Sequence, residues 1–346
     1  RRGLGPHETC LDFCGKLRRI HDMNKVIIGV DLGGTNIKTA IVGEDKKIIA
    51  KSSQPTGEDT GPEAVMNLMA QCIFDLIRDN GLEMSQVLAA GFGAPGPMNW
   101  QTGIVFSPPN LKGWKDVPLA EEMQKRLGVP CYVDNDANVA CYGEYWLGAG
   151  QDAESIVVFT LGTGVGGGIV VFGKLLRGID GTAAELGHLT VQRDGRLCGC
   201  GARGCLEAYA SVTGMIRTAE EGWDNAETRL KQMCKGDPKA LRGKLIYDAA
   251  VEGDAYALHV FHETAVWLGL GAASMINALN PERIIFCGGM SNAGDLLFDT
   301  VRKTVMANAF EVPAKRCQIL PAGLGNDSGV IGCAGCALDR YLRKDG

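Results

Sequence analysis

The stretch Val26-Ile-Ile-Gly-Val-Asp-Leu-Gly-Gly-Thr-Asn-Ile-Lys-Thr-Ala-Ile-Val42 decides the architecture. Its apolar run from Val26 to Asp31 reads as a buried strand. The turn Leu32-Gly33-Gly34-Thr35 reverses the chain, and Ile37 to Val42 leaves as a second strand. Lys47 to Ser52 follows the polar turn Gly43-Glu44-Asp45 as a third strand. Pro62 then opens a helix in which Val65, Leu68, Met69, Cys72, Ile73, Leu76 and Ile77 recur at helical spacing. Val87 to Phe92 is the next strand, and this order describes a compact α/β unit.

A Pro- and Gly-rich segment and a short helix lead to a strand at Cys131–Val133 and to Asp134-Asn-Asp-Ala-Asn138. A helix capped by Asn135 or Asp136 should begin there and run to about Leu147. The opening pattern then recurs. Ser155 to Leu161 enters Gly162-Thr163-Gly164, and Val165 to Phe172 leaves it, as an internal duplication would. Helices dominate through Asn280, the longest from Ala255 to Leu279 before Pro281. A strand at Arg283–Cys287 ends in Gly288-Gly289, and a helix, a strand near Cys317–Leu320 and a terminal helix from about Asp327 follow. Two α/β domains around a central cleft are expected, at residues 25–134 and 135–326. The terminal helix, 327–346, is expected to pack back on the first domain. Residues 1–24 have no period and read as a disordered N-terminal extension outside the fold.

Composition narrows the function classes. With 346 residues, 45% hydrophobic and 22% charged, the chain is ordinary globular material and long enough for two cores. A net charge of −5 argues against a nucleic-acid binder. Thirteen cysteines, an odd number with no secretory leader before them, point to a reducing cytoplasm. No apolar run approaches a membrane span.

The densest chemistry lies between Ala184 and Ser211. Cys198, Cys200 and Cys205 fall within eight residues, with His188 ten before the first, in a segment turned by Gly195, Gly199, Gly201 and Gly204. That set describes a closed tetrahedral Cys₃His zinc site; the alternative is a loop of buried thiols. Glu185 and Glu207 bracket it. Asp31-Leu-Gly33-Gly34-Thr35 leaves backbone N–H groups open to an anion, although a plain hairpin would use the same residues. Thr163 and Gly164 form a second such turn, and Gly288-Gly289 at a later strand end is counted with them as nucleotide-binding. Neither turn is followed by Gly-Lys-Ser/Thr, so neither is a P-loop. Asp136, at a strand end and helix start, is the candidate general base; as a cap it would have no chemistry. Asn110, Asn135, Glu185, His188 and Glu207 offer the donors and acceptors a sugar pocket requires. Cys333-Ala-Gly-Cys336 lies among small residues and reads as packing.

With these residues in place the chain resembles the ROK family of sugar kinases and related repressors, within the actin-like (ribonuclease H-like) ATPase fold. The resemblance covers about Lys25 to Leu342. It rests on Asp31-Leu-Gly-Gly-Thr35, Gly93-Ala-Pro-Gly-Pro97, Asp134-Asn-Asp136, the Leu161–Gly168 turn, Glu185-Leu-Gly-His188 and the Cys-x-Cys-x₄-Cys cluster. It implies phosphorylation of a hexose by ATP with Mg²⁺, Asp136 taking the proton from the attacking hydroxyl. It further implies that Asn135, Glu185, His188 and Glu207 bind the sugar while zinc holds their loop, His188 serving both. The Pro109-Asn110-Leu111…Trp114 segment is most similar to the family's bacterial glucokinase branch, so glucose is the first expected substrate. N-acetylmannosamine, N-acetylglucosamine and fructose are the alternatives. A homodimer or homotetramer is expected. A sugar-responsive repressor of the family would carry a winged helix, for which residues 1–24 are too few. Asp136 argues against a catalytically dead sugar binder.

Overall fold

The structure, a computed structural model, describes residues 25–57, 61–108 and 111–344, so Asn110 and the N-terminal extension lie outside the described residues. The first strands are β1 (Val26–Leu32), β2 (Asn36–Gly43) and β3 (Ile48–Pro55), an antiparallel meander. β4 (Val87–Ala94) follows the Pro62–Asp79 helix and lies parallel to β1. The segment read only as Pro- and Gly-rich contains a small antiparallel sheet of β5 (Met98–Asn99), β6 (Ile104–Val105) and β7 (Val117–Pro118). Then β8 (Cys131–Asn135) adds in parallel to β4, and the first sheet has the order β3-β2-β1-β4-β8.

The second half repeats that plan. β9 (Ile156–Leu161), β10 (Val165–Val171) and β11 (Lys174–Leu175) run antiparallel, and β12 (Arg283–Cys287) and β13 (Gln318–Pro321) add in parallel. The order is β11-β10-β9-β12-β13, the same arrangement of senses as in the first sheet. Both are the sheets the actin-like fold predicts.

The innermost strands are buried on both faces, which is why they read as unbroken apolar runs. On β1, Ile28, Val30 and Leu32 pack with Met69 and Ile73 of the Pro62–Asp79 helix. Ile27 on the opposite face packs with Val330, Ile331 and Ala334 of the Ser328–Lys344 helix. On β9, Val157 and Phe159 enter a core with Phe261, Leu268 and Val301, while Ile156 and Val158 meet Val139, Cys141 and Tyr142 of the Asp136–Leu147 helix. Two helices, Asp136–Leu147 and Ser328–Lys344, therefore lie against the inner faces of the two sheets. They cross where both chains lack a side chain: a Cβ on Gly143 would stand 2.1 Å from the Ser328 carbonyl oxygen, and one on Gly332 1.6 Å from that of Val139.

Glu144 pins this crossing. It is wholly buried, and its carboxylate accepts from the N–H groups of Ala149 (2.8 Å), Gly323 (2.8 Å) and Leu324 (3.0 Å) and from the Ser328 hydroxyl (2.6 Å). Cys333 and Cys336 are buried in the terminal helix, at 0% and 4% exposure, as packing residues. No helix among the described residues is long and apolar enough to cross a membrane.

Candidate active site

The carboxyl ends of the parallel strands bring the acidic residues together. Asp31 on β1 and Asp134 on β8 both register with Gly93 of β4, and the chain leaves β8 directly into the Asp136–Leu147 helix. Between the two possible caps, the structure chooses Asn135. Its Oδ1 accepts from the N–H groups of Ala137 (2.9 Å) and Asn138 (3.3 Å), as an N-cap does. Asp136 also accepts from Ala137 N–H at 2.9 Å, as the first helical residue.

Asp136 reaches solvent, yet protein surrounds most of its carboxyl. That dehydration, with a smaller push from the nearby Asp31 and Glu185 carboxylates, raises its pKa from 3.8 to about 6. Asp31 is raised as well by burial, an effect the Lys38 charge only partly offsets. Glu185 follows Ala184, a non-glycine residue held at φ +65°, a backbone state that surrounding contacts must enforce.

The two Gly/Thr turns are locally braced. In the first, Gly33 N–H donates to the Asn36 carbonyl at 3.0 Å, and the Thr56 hydroxyl donates to that of Gly33 at 2.7 Å. In the second, the Thr213 hydroxyl donates to the Thr163 carbonyl at 2.8 Å, and Glu207 accepts from Val165 N–H at 2.9 Å. Beside this turn is a cavity of about 470 Å³, lined in part by Thr163, Met215, Tyr247, Met290 and Asn292. Thr163 and Gly289 of the expected nucleotide set reach it, and Gly288, at φ +100°, brings the chain against the end of β9. Lys244, Tyr247 and Met290 also line the cavity, and the sequence marks none of them as a ligand residue. They come from a helix and a helical turn without a motif, so only packing reveals them.

His188, Cys198, Cys200 and Cys205 converge, with one ligand atom of each within 4.8 Å of the others. His188 Nδ1 lies 3.7 Å from Cys198 Sγ, and Cys200 Sγ lies 3.7 Å from Cys205 Sγ. A tetrahedral zinc with Zn–S bonds of about 2.3 Å would set such edges near 3.8 Å, so the donor set fits the ion. Glu207 stands between this cluster and the second turn: its Oε1 lies 3.6 Å from Cys198 Sγ, while Oε2 takes the Val165 bond. Of the expected sugar set, Asn135 and Glu185 act on Asp136 through a hydrogen bond and a charge, and His188 and Glu207 sit at the cysteine cluster.

A model of the ROK family matches residues 27–340. Among similar proteins, the glucokinase of Thermotoga maritima is 39% identical over 314 residues, which cover 91% of this chain and 98% of that protein. The glucokinase of Halalkalibacterium halodurans is 39% identical over 306 residues, 88% of this chain and 92% of its own. The crystal structure of a ROK family glucokinase from Streptomyces griseus, in complex with glucose and AMPPNP, matches with a TM-score of 0.74 at 36% identity. That match covers 91% of this chain and 99% of that one. Sheet order, strand senses and these matches agree, and the chain belongs to the ROK family with its actin-like ATPase fold.

Proposed function

We propose that the chain transfers the terminal phosphoryl group of ATP to a hydroxyl of a hexose, glucose ahead of N-acetylmannosamine, N-acetylglucosamine or fructose. The observation that carries this reading is Asp136, a carboxylate at the start of a helix whose pKa burial raises to about 6 beside the Asp31 and Glu185 carboxylates. At neutral pH it is ionised and can still accept a proton, as a general base for a sugar hydroxyl must. Glucose is put first because both bacterial relatives are glucokinases and the Streptomyces griseus structure holds glucose with an ATP analogue.

Asn135, Glu185, His188, Glu207 and Asn110 are assigned to the sugar, with residues 25–134 and 135–326 as the two domains that enclose it. Asp31, Gly33, Gly34, Thr35, Thr163, Gly164, Gly288 and Gly289 are assigned to the nucleotide, with the cavity beside Thr163 taking its base. Phosphoryl transfer needs little covalent chemistry from a protein, so orientation of the hydroxyl by Asp136 and of the phosphates by backbone N–H groups is the main contribution. Mg²⁺ bound with ATP would offset phosphate charge, and Asp31, a dehydrated carboxylate beside the first turn, is the residue to hold it. Zinc on His188, Cys198, Cys200 and Cys205 would keep the sugar loop in shape. The cysteines of the described residues are free, in keeping with a cytoplasmic enzyme.

A panel of hexoses with ATP in a coupled ADP-release assay tests the reading. Turnover is expected with glucose above the other hexoses. Turnover of none of them would refute the kinase, and preference for an N-acetyl sugar would replace glucose.

A further inference from the structure

Asp134 lies two positions before Asp136, yet its environment is opposite. It is buried, and its carboxylate is fully engaged. Oδ1 accepts from Asn135 N–H at 3.0 Å and from Asn138 Nδ2 at 3.2 Å, and Oδ2 accepts from Arg177 Nε at 2.6 Å. The Arg177 and Asp134 side chains are only 12% and 4% exposed. The Arg177 guanidinium lies over the Trp100 ring, 4.7 Å from its centroid, and Arg340 of the terminal helix lies 5.2 Å from the same ring. Arg340 also donates to the Trp100 carbonyl at 2.7 Å, which fixes the backbone beneath the stack. An ion pair so dehydrated gives little net stability over an apolar pair of the same shape, so stability alone does not account for it.

Arg177 is also the root of the loop that ends in Glu185 and His188. Ala183 N–H donates to the Arg177 carbonyl at 3.2 Å and closes the loop on itself. Gly181 abuts the Trp100 edge, where a Cβ would come within 2.9 Å of Cδ1. Three residues later the chain reaches Ala184 in its left-handed state, then Glu185. Asp134 thus fixes the first turn of the helix that bears Asp136, and Arg177 fixes the loop that bears Glu185. The 2.6 Å contact joins the two.

We propose that Arg177 is a positioning residue: through Asp134 and Trp100 it holds the Glu185–His188 loop in register with Asp136, so that sugar and base meet in one geometry. The proposal rests on the hexose-kinase reading of the site. A misplacement of about 1 Å can cost roughly 10²-fold in rate, so Arg177→Met should lower kcat/KM for glucose by about that factor. The KM for ATP should stay at its wild-type value, because the glycine turns do not touch this contact. Arg177→Lys keeps a charge but not the planar stack or the Nε donor, and should recover little. Asp134→Asn should behave like Arg177→Met, and the double variant should cost no more than the worse single one.

Steady-state kinetics with glucose and ATP varied separately, on the whole chain with its metal, decide the matter. If the variants melt earlier but retain wild-type kcat/KM for glucose, Arg177 is only a structural residue and the proposal fails. Additive losses in the double variant would also overturn it. If the wild-type protein turns over no hexose, the kinase reading has failed separately. The coupling is then read from amide hydrogen exchange of residues 178–188: faster exchange in Arg177→Met supports it, and unchanged protection refutes it. Should Arg177→Met not fold, Arg177→Lys carries the same measurements.

Discussion

Two aspartates separated by a single residue divide the work by their surroundings. Asp134 has a guanidinium in contact, whereas the charges that act on Asp136 are carboxylates, Asp31 and Glu185. A carboxylate held by a buried cation serves structure, whereas a dehydrated one at a helix start can take a proton. With Asp136 at about 6 in the free enzyme, kcat/KM for glucose should be flat at neutral pH and fall as the pH drops below that value. Asp136→Asn should lower kcat by about 10²–10⁴-fold while calorimetry still detects glucose binding. Wild-type turnover in this variant would reduce Asp136 to a helix residue. The same carboxyl bears on stability with a definite sign. Its folded value of about 6 lies above the ordinary 3.8 of the group, so the fold favours the protonated form. The resulting penalty is absent below the lower value and complete above the higher one. Asp136→Asn should therefore melt later than wild type at about pH 8 and no later at about pH 3. Equal melting at both pH values would mean that ionising Asp136 does not strain the fold.

The turns and the cysteine segment act as units. At Gly162 an added Cβ would meet nothing within 4 Å, whereas at Gly164 it would come within 2.3 Å of Glu207 Oε2. Gly162→Val should thus intrude on the cavity alone and raise the KM for ATP with little effect on that for glucose. Gly164→Val should raise both, because it also displaces Glu207 from its Val165 bond. Identical kinetic profiles in the two variants would count against separate nucleotide and sugar sides of the turn. For the cysteine segment, metal analysis of protein purified without added zinc should find about one equivalent per chain. Cys200→Ser should lose it, and chelation should weaken glucose binding and lower the melting temperature together. Full activity in zinc-free protein would remove the ion from the account.

At the scale of the molecule, one sheet plan is used twice, and two helices crossing at Gly143 and Gly332 join the copies. Glu144 holds that junction through four donors spread over the Gly148–Gln151 turn, the approach to the terminal helix and its first residue. In Glu144→Gln the amide NH₂ must face N–H donors whichever way it is turned, leaving buried groups unpaired. Such a loss costs on the order of 3 kcal/mol, measurable by chemical denaturation. A cost near zero would mean that water replaces the carboxylate and that the junction is looser than its hydrogen bonds imply.

The strands, both glycine turns, the helix beginning at Asp136 and the Cys₃His set were legible in the sequence because each is encoded locally. Burial on both faces writes an unbroken apolar run, a tight turn writes glycines, and a Cys/His cluster built from one short segment writes closely spaced thiols. The choice of Asn135 over Asp136 as cap was open until the end of β8 set which side chain points back along the helix. Lys244, Tyr247 and Met290 become neighbours only when separate helices close one cavity. Arg177 meets Asp134 from 43 residues away, and Glu144 meets Gly323 from 179 away. No local pattern marks such pairs, since a lone Arg or Glu has the same sequence signature on a solvated surface. Their partners, and with them the coupling between the two halves of the site, were decided by the packing of the sheets and central helices.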